Sequence, residues 1–152
     1  MQAKQAWRFC VTSLLVVFVV AVGVAQAADY NYISQADFKA RLDAGDHENG
    51  KMAIMTSQTP EEYATGHLKA AFATFARPLE SDADFAKLDP FLAKVKDTTE
   101  DIVIICPRGK GGATRPFDYF KKHGVAVERM YILEGGQGAF NAAYPDAIVK
   151  GN

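Results

Sequence analysis

The segment Cys106-Pro107-Arg108-Gly109-Lys110-Gly111-Gly112-Ala113-Thr114-Arg115-Pro116 gathers a thiol, three glycines and three cations within ten residues. It follows Ile102-Val103-Ile104-Ile105, four β-branched apolar residues that suit a strand covered on both faces in the middle of a parallel sheet. Ligands of open α/β sheets bind beyond the carboxyl ends of the strands, and Cys106 stands where this strand runs out. Gly109, Gly111 and Gly112 let the backbone fold tightly and turn its N–H groups inward, so amides of residues 108 to 112 are expected to form an anion cradle. The following helix adds its positive N-terminal end, and Arg108, Lys110 and Arg115 add formal charge. Pro107 removes one amide donor. Each favourable factor promotes thiolate over thiol, so Cys106 is expected to be a nucleophile near neutral pH. The competing reading is a buried, inert cysteine beside solvated cations.

The compartment bears on that choice. Lys4 and Arg8 precede the apolar stretch Leu14 to Val24, and Ala25-Gln26-Ala27 has the small-x-small form of a cleavage site. Residues 1–27 therefore read as a cleavable signal, with residues 28–152 as one domain, exported to a bacterial periplasm. An uncleaved anchor over Phe9 to Val24 is the alternative. Cleavage removes Cys10 and leaves Cys106 as a single thiol in an oxidising compartment, where an unpaired cysteine needs a reason. With Lys4 and Arg8 gone, 15 basic side chains face 18 acidic ones, a balance of −3. Bulk charge thus argues against a nucleic-acid partner, and two cysteines are too few for a disulfide scaffold or a multi-cysteine metal cluster. No membrane association is expected after cleavage.

The elements that must position Cys106 can be read along the chain. Ser34, with Asp37 three residues on and apolar Phe38 and Leu42, predicts a capped helix to about Ala44, after a short strand at Ile33. Met52 to Met55 suits a buried strand. Thr59-Pro60-Glu61-Glu62 sets a hydroxyl cap, a proline in the first turn and a glutamate three residues after the cap, with Gly66 ending a short helix. Ala70 to Thr74 predicts a short strand, and Ser81 to Lys96 predicts helix, restarted with Asp89 as cap before Pro90. After the glycine-rich loop a helix runs from about Arg115 to His123, followed by a strand from Val127 to Leu133 and a helix from Gln137 to Ala143. Alternating strands and helices predict an α/β sandwich on a mainly parallel sheet.

Three segments carry a family resemblance. Thr59-Pro60-Glu61-Glu62-Tyr63-Ala64-Thr65-Gly66-His67-Leu68, the strand with C-x-x-G from Ile102 to Gly109, and Leu133-Glu134-Gly135-Gly136 with Ala139-Phe140 resemble, in the right order, the signatures of the rhodanese family. The resemblance implies a three-layer α/β/α domain with a central, mainly parallel five-stranded sheet. It also implies that Cys106 takes a sulfane sulfur from thiosulfate or a related small anionic donor and passes it, as a persulfide, to a thiol or cyanide acceptor, with no metal or organic cofactor. The basic loop suits a dianionic donor, with Arg108 and Lys110 steering it and Arg115 as a supplement.

The sequence departs from that family in places. The usual D-V-R before the first signature is here Thr56-Ser57-Gln58, which puts the polar contacts that steady the active loop in question. Gly111 and Gly112 occupy the region where an arginine usually closes the loop. A sulfur-carrier module without turnover is one alternative function. Phosphatase or arsenate-reductase chemistry is another, but C-x5-R would need an arginine at position 112, which is Gly112.

Other candidates read as structural. His67 is expected to close the turn after Gly66, and His47 and His123 fall in a polar loop and at a helix end, with no metal-ligand spacing among them. Phe117, Phe120, Tyr131 and Phe140 are expected in the core. Lys110 with its glycines fails as a phosphate-binding P-loop, because Gly111 follows where Ser or Thr belongs.

Overall fold

The structure, a computed structural model, describes residues 30–151. The proposed signal sequence, its cleavage site and Cys10 lie outside the described residues. Five strands, β1 (Tyr32–Ile33), β2 (Met52–Thr56), β3 (Phe72–Ala73), β4 (Asp101–Ile105) and β5 (Met130–Leu133), form one sheet in the order β1-β5-β4-β2-β3. All neighbours are parallel, which places β4 at the centre between β5 and β2. Five helices connect them, α1 (Gln35–Asp43), α2 (Pro60–Thr65), α3 (Asp82–Ala86), α4 (Asp89–Val95) and α5 (Gly111–Lys122), and α6 (Gly136–Ala143) follows the last strand.

Strand alternation sorts the core into two layers. Ala53, Met55, Ile102, Ile104, Met130 and Ile132 face Phe91 of α4 and Phe117 and Phe120 of α5. Met52, Ile54, Val103, Ile105 and Leu133 face Phe38 of α1 and Phe140 of α6. The result is the expected α/β/α sandwich. Ile102 to Ile105 have no exposed surface, and burial of each side chain stabilises the fold by about 1.5–3 kcal/mol. Tyr131 packs against the second layer without being fully buried.

The helix caps follow local chemistry. Ser34 Oγ accepts from Asp37 N at 3.1 Å, and Thr59 and Glu62 form a reciprocal capping box ahead of Gly66. Three boundaries differ from expectation. Asp89 is the first residue of α4 and Leu88 takes the cap position, because the Asp89 carboxylate instead accepts from the Tyr119 hydroxyl at 2.6 Å. β5 starts at Met130, since Val127–Arg129 form a 3₁₀ turn. Side chains tie that turn down: Asn31 Nδ2 donates to the Val127 carbonyl at 2.8 Å, and the Arg129 guanidinium donates to the Val95 and Glu100 carbonyls at 2.7 Å each. The third difference concerns α5, which begins at Gly111 rather than near Arg115 and so takes two of the three loop glycines into its first turn. No helix among the described residues is long and apolar enough to cross a membrane.

Candidate active site

Cys106 follows the last residue of β4, and its surroundings hold it from three sides. The Lys110 amide donates to Sγ at 3.3 Å, curling the four residues after the cysteine around the sulfur. Gly109 enables this reversal with φ +64, in the left-handed region. From below, the first turn of α6 reaches the loop: Gln137 N donates to the Cys106 carbonyl at 2.9 Å and Gly138 N to the Pro107 carbonyl at 3.0 Å. Helix-terminal amides lack partners within their own helix, and here loop carbonyls supply them. The approach demands glycine, because a Cβ at Gly136 (φ +65) would lie 2.1 Å from the Cys106 carbonyl and one at Gly109 2.8 Å from that of Leu133.

The third support comes from β2. Ser57 N donates to the Ile105 carbonyl at 3.0 Å, and Ser57 Oγ donates to the Gly112 carbonyl at 2.8 Å. Pro116, inside α5, has no N–H to offer that carbonyl four residues earlier. Gly111 and Gly112 supply the first two amides of α5, and Gly112 lies against Cys106.

Above Cys106 lies a cleft of about 320 Å³ that brings together Cys106, Arg108, Lys110, Gly111, Gly112 and Arg115, all expected at the site. Gly109 does not line it; its position is under the loop, against the Gly135-Gly136 turn. Arg115 is at the rim, donating to the Pro78 carbonyl at 2.9 Å. Cys106 is only 2% exposed, so access to the sulfur is through this opening. Arg108 and Lys110 are exposed and make no ion pair among the described residues.

Sequence reasoning missed two contributors. Arg77 lines the cleft from the connection between β3 and α3, and its Nη1 is hydrogen-bonded to both carboxylate oxygens of Glu62. Glu62 was legible as a capping residue, but nothing local ties it to a cation fifteen residues on. Ser57 was legible only as part of an atypical tripeptide.

The replacement of the usual Asp and Arg by Thr56 and Gln58 is accommodated by a different network. Thr56 Oγ1 donates to Gln58 Oε1 at 3.0 Å, and Gln58 Nε2 donates to the Glu62 and Gly66 carbonyls at 3.2 and 3.0 Å. His67 is buried, with Nδ1 2.8 Å from the Tyr63 carbonyl and its ring stacked on Tyr63, so it closes the turn after Gly66 as expected. His123 Nδ1 lies 2.7 Å from the Tyr119 carbonyl at the end of α5, and His47 lies in the polar loop beside Glu48. Among the described residues no group of three or more His, Cys, Asp or Glu side chains is placed to hold a metal ion.

A larger hollow of about 510 Å³ between α3, α4 and α5 shares Arg115 with the cleft but is lined by no cysteine, serine or histidine. Two of its carboxylates are engaged, Asp89 by Tyr119 and Asp118 by the Tyr30 hydroxyl at 2.9 Å. The bond to Asp89, reinforced by burial, pushes the Tyr119 phenol up to about 12.

Comparison with known proteins gives one family: the rhodanese-like domain profile matches residues 34–143. No curated protein matches the chain. Among solved structures, the chain is similar to an As-Sb reductase from Leishmania major, at 18% identity and TM-score 0.64 over 80% of this chain and 86% of the other. It is also similar to a yeast protein tyrosine phosphatase of the rhodanese family, at 16% identity and TM-score 0.57 over 79% and 90%. A third neighbour is a rhodanese-related protein from Thermoplasma volcanium, at 17% identity and TM-score 0.53 over 79% and 98%. At these identities the likeness is one of fold.

Proposed function

The chain belongs to the rhodanese-like domain family, and from that premise we propose that it is a sulfurtransferase working through a persulfide on Cys106. The Cys106 thiolate attacks the sulfane sulfur of thiosulfate. A new S–S bond forms, the bond to the sulfonate sulfur breaks, and its electron pair leaves with sulfite. The persulfide then gives its outer sulfur to cyanide, forming thiocyanate, or to a thiol, forming a new persulfide, and the Cys106 thiolate returns. Atoms and charge balance in both steps without a cofactor.

The observation that carries this reading is the Lys110 amide 3.3 Å from Sγ at the base of a cleft bordered by Arg77, Arg108, Lys110 and Arg115. The amide donates to the nucleophile, and Arg108, Lys110 and Arg115 offset repulsion between the sulfur and a dianionic donor. Glu80 is the one carboxylate lining the cleft. A cleft of about 320 Å³ over a 2% exposed residue weighs for a small donor over a protein persulfide, and hence against a pure carrier. The phosphatase reading lacks its arginine at 112, where a Cβ would already lie 3.0 Å from Cys106 Cβ. The apolar Leu14 to Val24 stretch and its Ala25-Gln26-Ala27 exit support export, with the domain working in a periplasm.

The test is to incubate the protein with thiosulfate and weigh it intact. The expected product carries a single added sulfur that cyanide removes, and Cys106→Ser, with the fold retained, gains none. Sulfur gained only from a protein persulfide would identify a carrier instead. No sulfur, together with hydrolysis of an aryl phosphate, would identify a phosphatase.

A further inference from the structure

We propose that Arg77, oriented by Glu62, is the residue that selects donors bearing a sulfur oxyanion, by taking the donor's sulfonate oxygens beside Cys106. This inference rests on the sulfurtransferase reading for its substrate class, though not for its geometry.

The first observation is position. A Cβ built at Gly112 would meet the Cys106 sulfur at 3.4 Å and the Cδ of Arg77 at 3.5 Å. The sulfur and the Arg77 stem therefore border the same space, which glycine at 112 leaves empty. Arg77, entering from the connection between β3 and α3, borders the sulfur from outside the loop, whereas a side chain at 112 would crowd Cys106 Cβ at 3.0 Å.

The second is which donors remain. Arg77 engages Glu62 through Nη1 alone; among the described residues no acceptor takes Nε or Nη2. Those two nitrogens form the edge of the guanidinium that binds an oxyanion through two parallel hydrogen bonds. Arg108 and Lys110 are exposed and have no side-chain partner to fix their geometry, so they attract charge without orienting it.

The third is how firmly the group is placed. Glu62 Oε2 also accepts from Thr59 N at 2.9 Å, so the capping box of α2 pins the carboxylate that holds Arg77. Beyond Arg77, the Pro78 carbonyl is tied to α5 by Arg115. Phe75 at φ +50 and Leu79 at φ +62 bracket the segment, two non-glycine residues held in the left-handed region at a cost of about 1–3 kcal/mol each. That strain is concentrated around the side chain that enters the cleft. Pairing with Glu62 neutralises the charge of Arg77, so Arg108, Lys110 and Arg115 supply the net attraction and Arg77 the geometry.

The experiment uses sulfate, which has the head group of the donor but no sulfane sulfur to give. Alkylation of Cys106 by iodoacetamide, followed by intact mass, is measured against rising sulfate at constant ionic strength. Wild type is expected to be protected saturably. Arg77→Ala should raise the half-protecting concentration about tenfold or more, and Arg77→Lys should recover only part of it because the fork is lost. Glu62→Gln keeps an oxygen for the Thr59 amide but weakens the ion pair, and should fall between. Lys121→Ala, on the exposed end of α5, should match wild type. Equal protection in wild type and both Arg77 variants, or no saturable protection in wild type, would overturn the proposal. If thiosulfate never loads Cys106 yet sulfate protection is lost with Arg77, the sulfurtransferase reading fails and the oxyanion site stands.

Discussion

The Ser57 hydroxyl donates to the Gly112 carbonyl at 2.8 Å, and Gly112 is the residue whose helical acceptor role Pro116 leaves unfilled. A strand-end side chain thus completes a helix that starts beside the nucleophile. Without it, α5 would carry an unpaired carbonyl in the turn that also presents the Gly111 and Gly112 amides. Ser57→Ala is expected to cost about 1–2 kcal/mol and to slow sulfur transfer. In a Pro116→Ala background, residue 116 regains an N–H for that carbonyl, so Ser57→Ala should cost less by about 1 kcal/mol. A double-mutant cycle by urea unfolding measures this coupling, and strict additivity would show that the two residues do not share the carbonyl.

Arg108 and Lys110 act on the approach of charge. Their alanine variants should raise KM for thiosulfate about tenfold while changing use of an uncharged alkyl persulfide by less than about twofold. The difference should shrink as salt rises, since exposed charges are screened. Equal losses with both donors would remove the steering role.

Gly136 is the contact point between α6 and the active loop. Gly136→Ala places a Cβ 2.1 Å from the Cys106 carbonyl at φ +65, so it should destabilise the fold by more than about 2 kcal/mol and abolish persulfide formation. Gly124→Ala is the comparison, because Gly124 has φ +90 but open space around it. Its cost should be about 1–2 kcal/mol, from backbone strain alone, with activity intact. Urea midpoints and intact mass after thiosulfate treatment distinguish the two.

The Tyr119–Asp89 bond predicts an alkaline effect. The folded-state phenol, at about 12, is raised above its ordinary value of 10.0, so the neutral form is favoured by folding. The stability this contributes is fully present below about 10 and is lost as pH rises through about 12. Tyr119→Phe, which does not titrate, should lose less stability across that window than wild type. Asp89→Asn should return the phenol toward 10.0 in a phenolate absorbance titration.

Much of the site was legible in the chain because its signals are local. Four consecutive β-branched residues predict the buried β4, and Cys106 follows them with no further information needed. Ser34, Thr59 and Glu62 predict helix starts because a cap is satisfied within three or four residues. What neighbours in sequence could not decide was where α5 begins. Gly111 and Gly112 have weak helical preference on their own, and they enter the helix where the Ser57 hydroxyl from β2 holds the Gly112 carbonyl. Nor could they place Arg77 in the cleft with Cys106, or the α6 amides against the Cys106 and Pro107 carbonyls. Those arrangements join segments that meet only when the sheet order brings the ends of β2, β3, β4 and β5 together. Periodicity and capping are properties of short stretches of chain, whereas the partners of a side chain in a cleft depend on the packing of the whole domain.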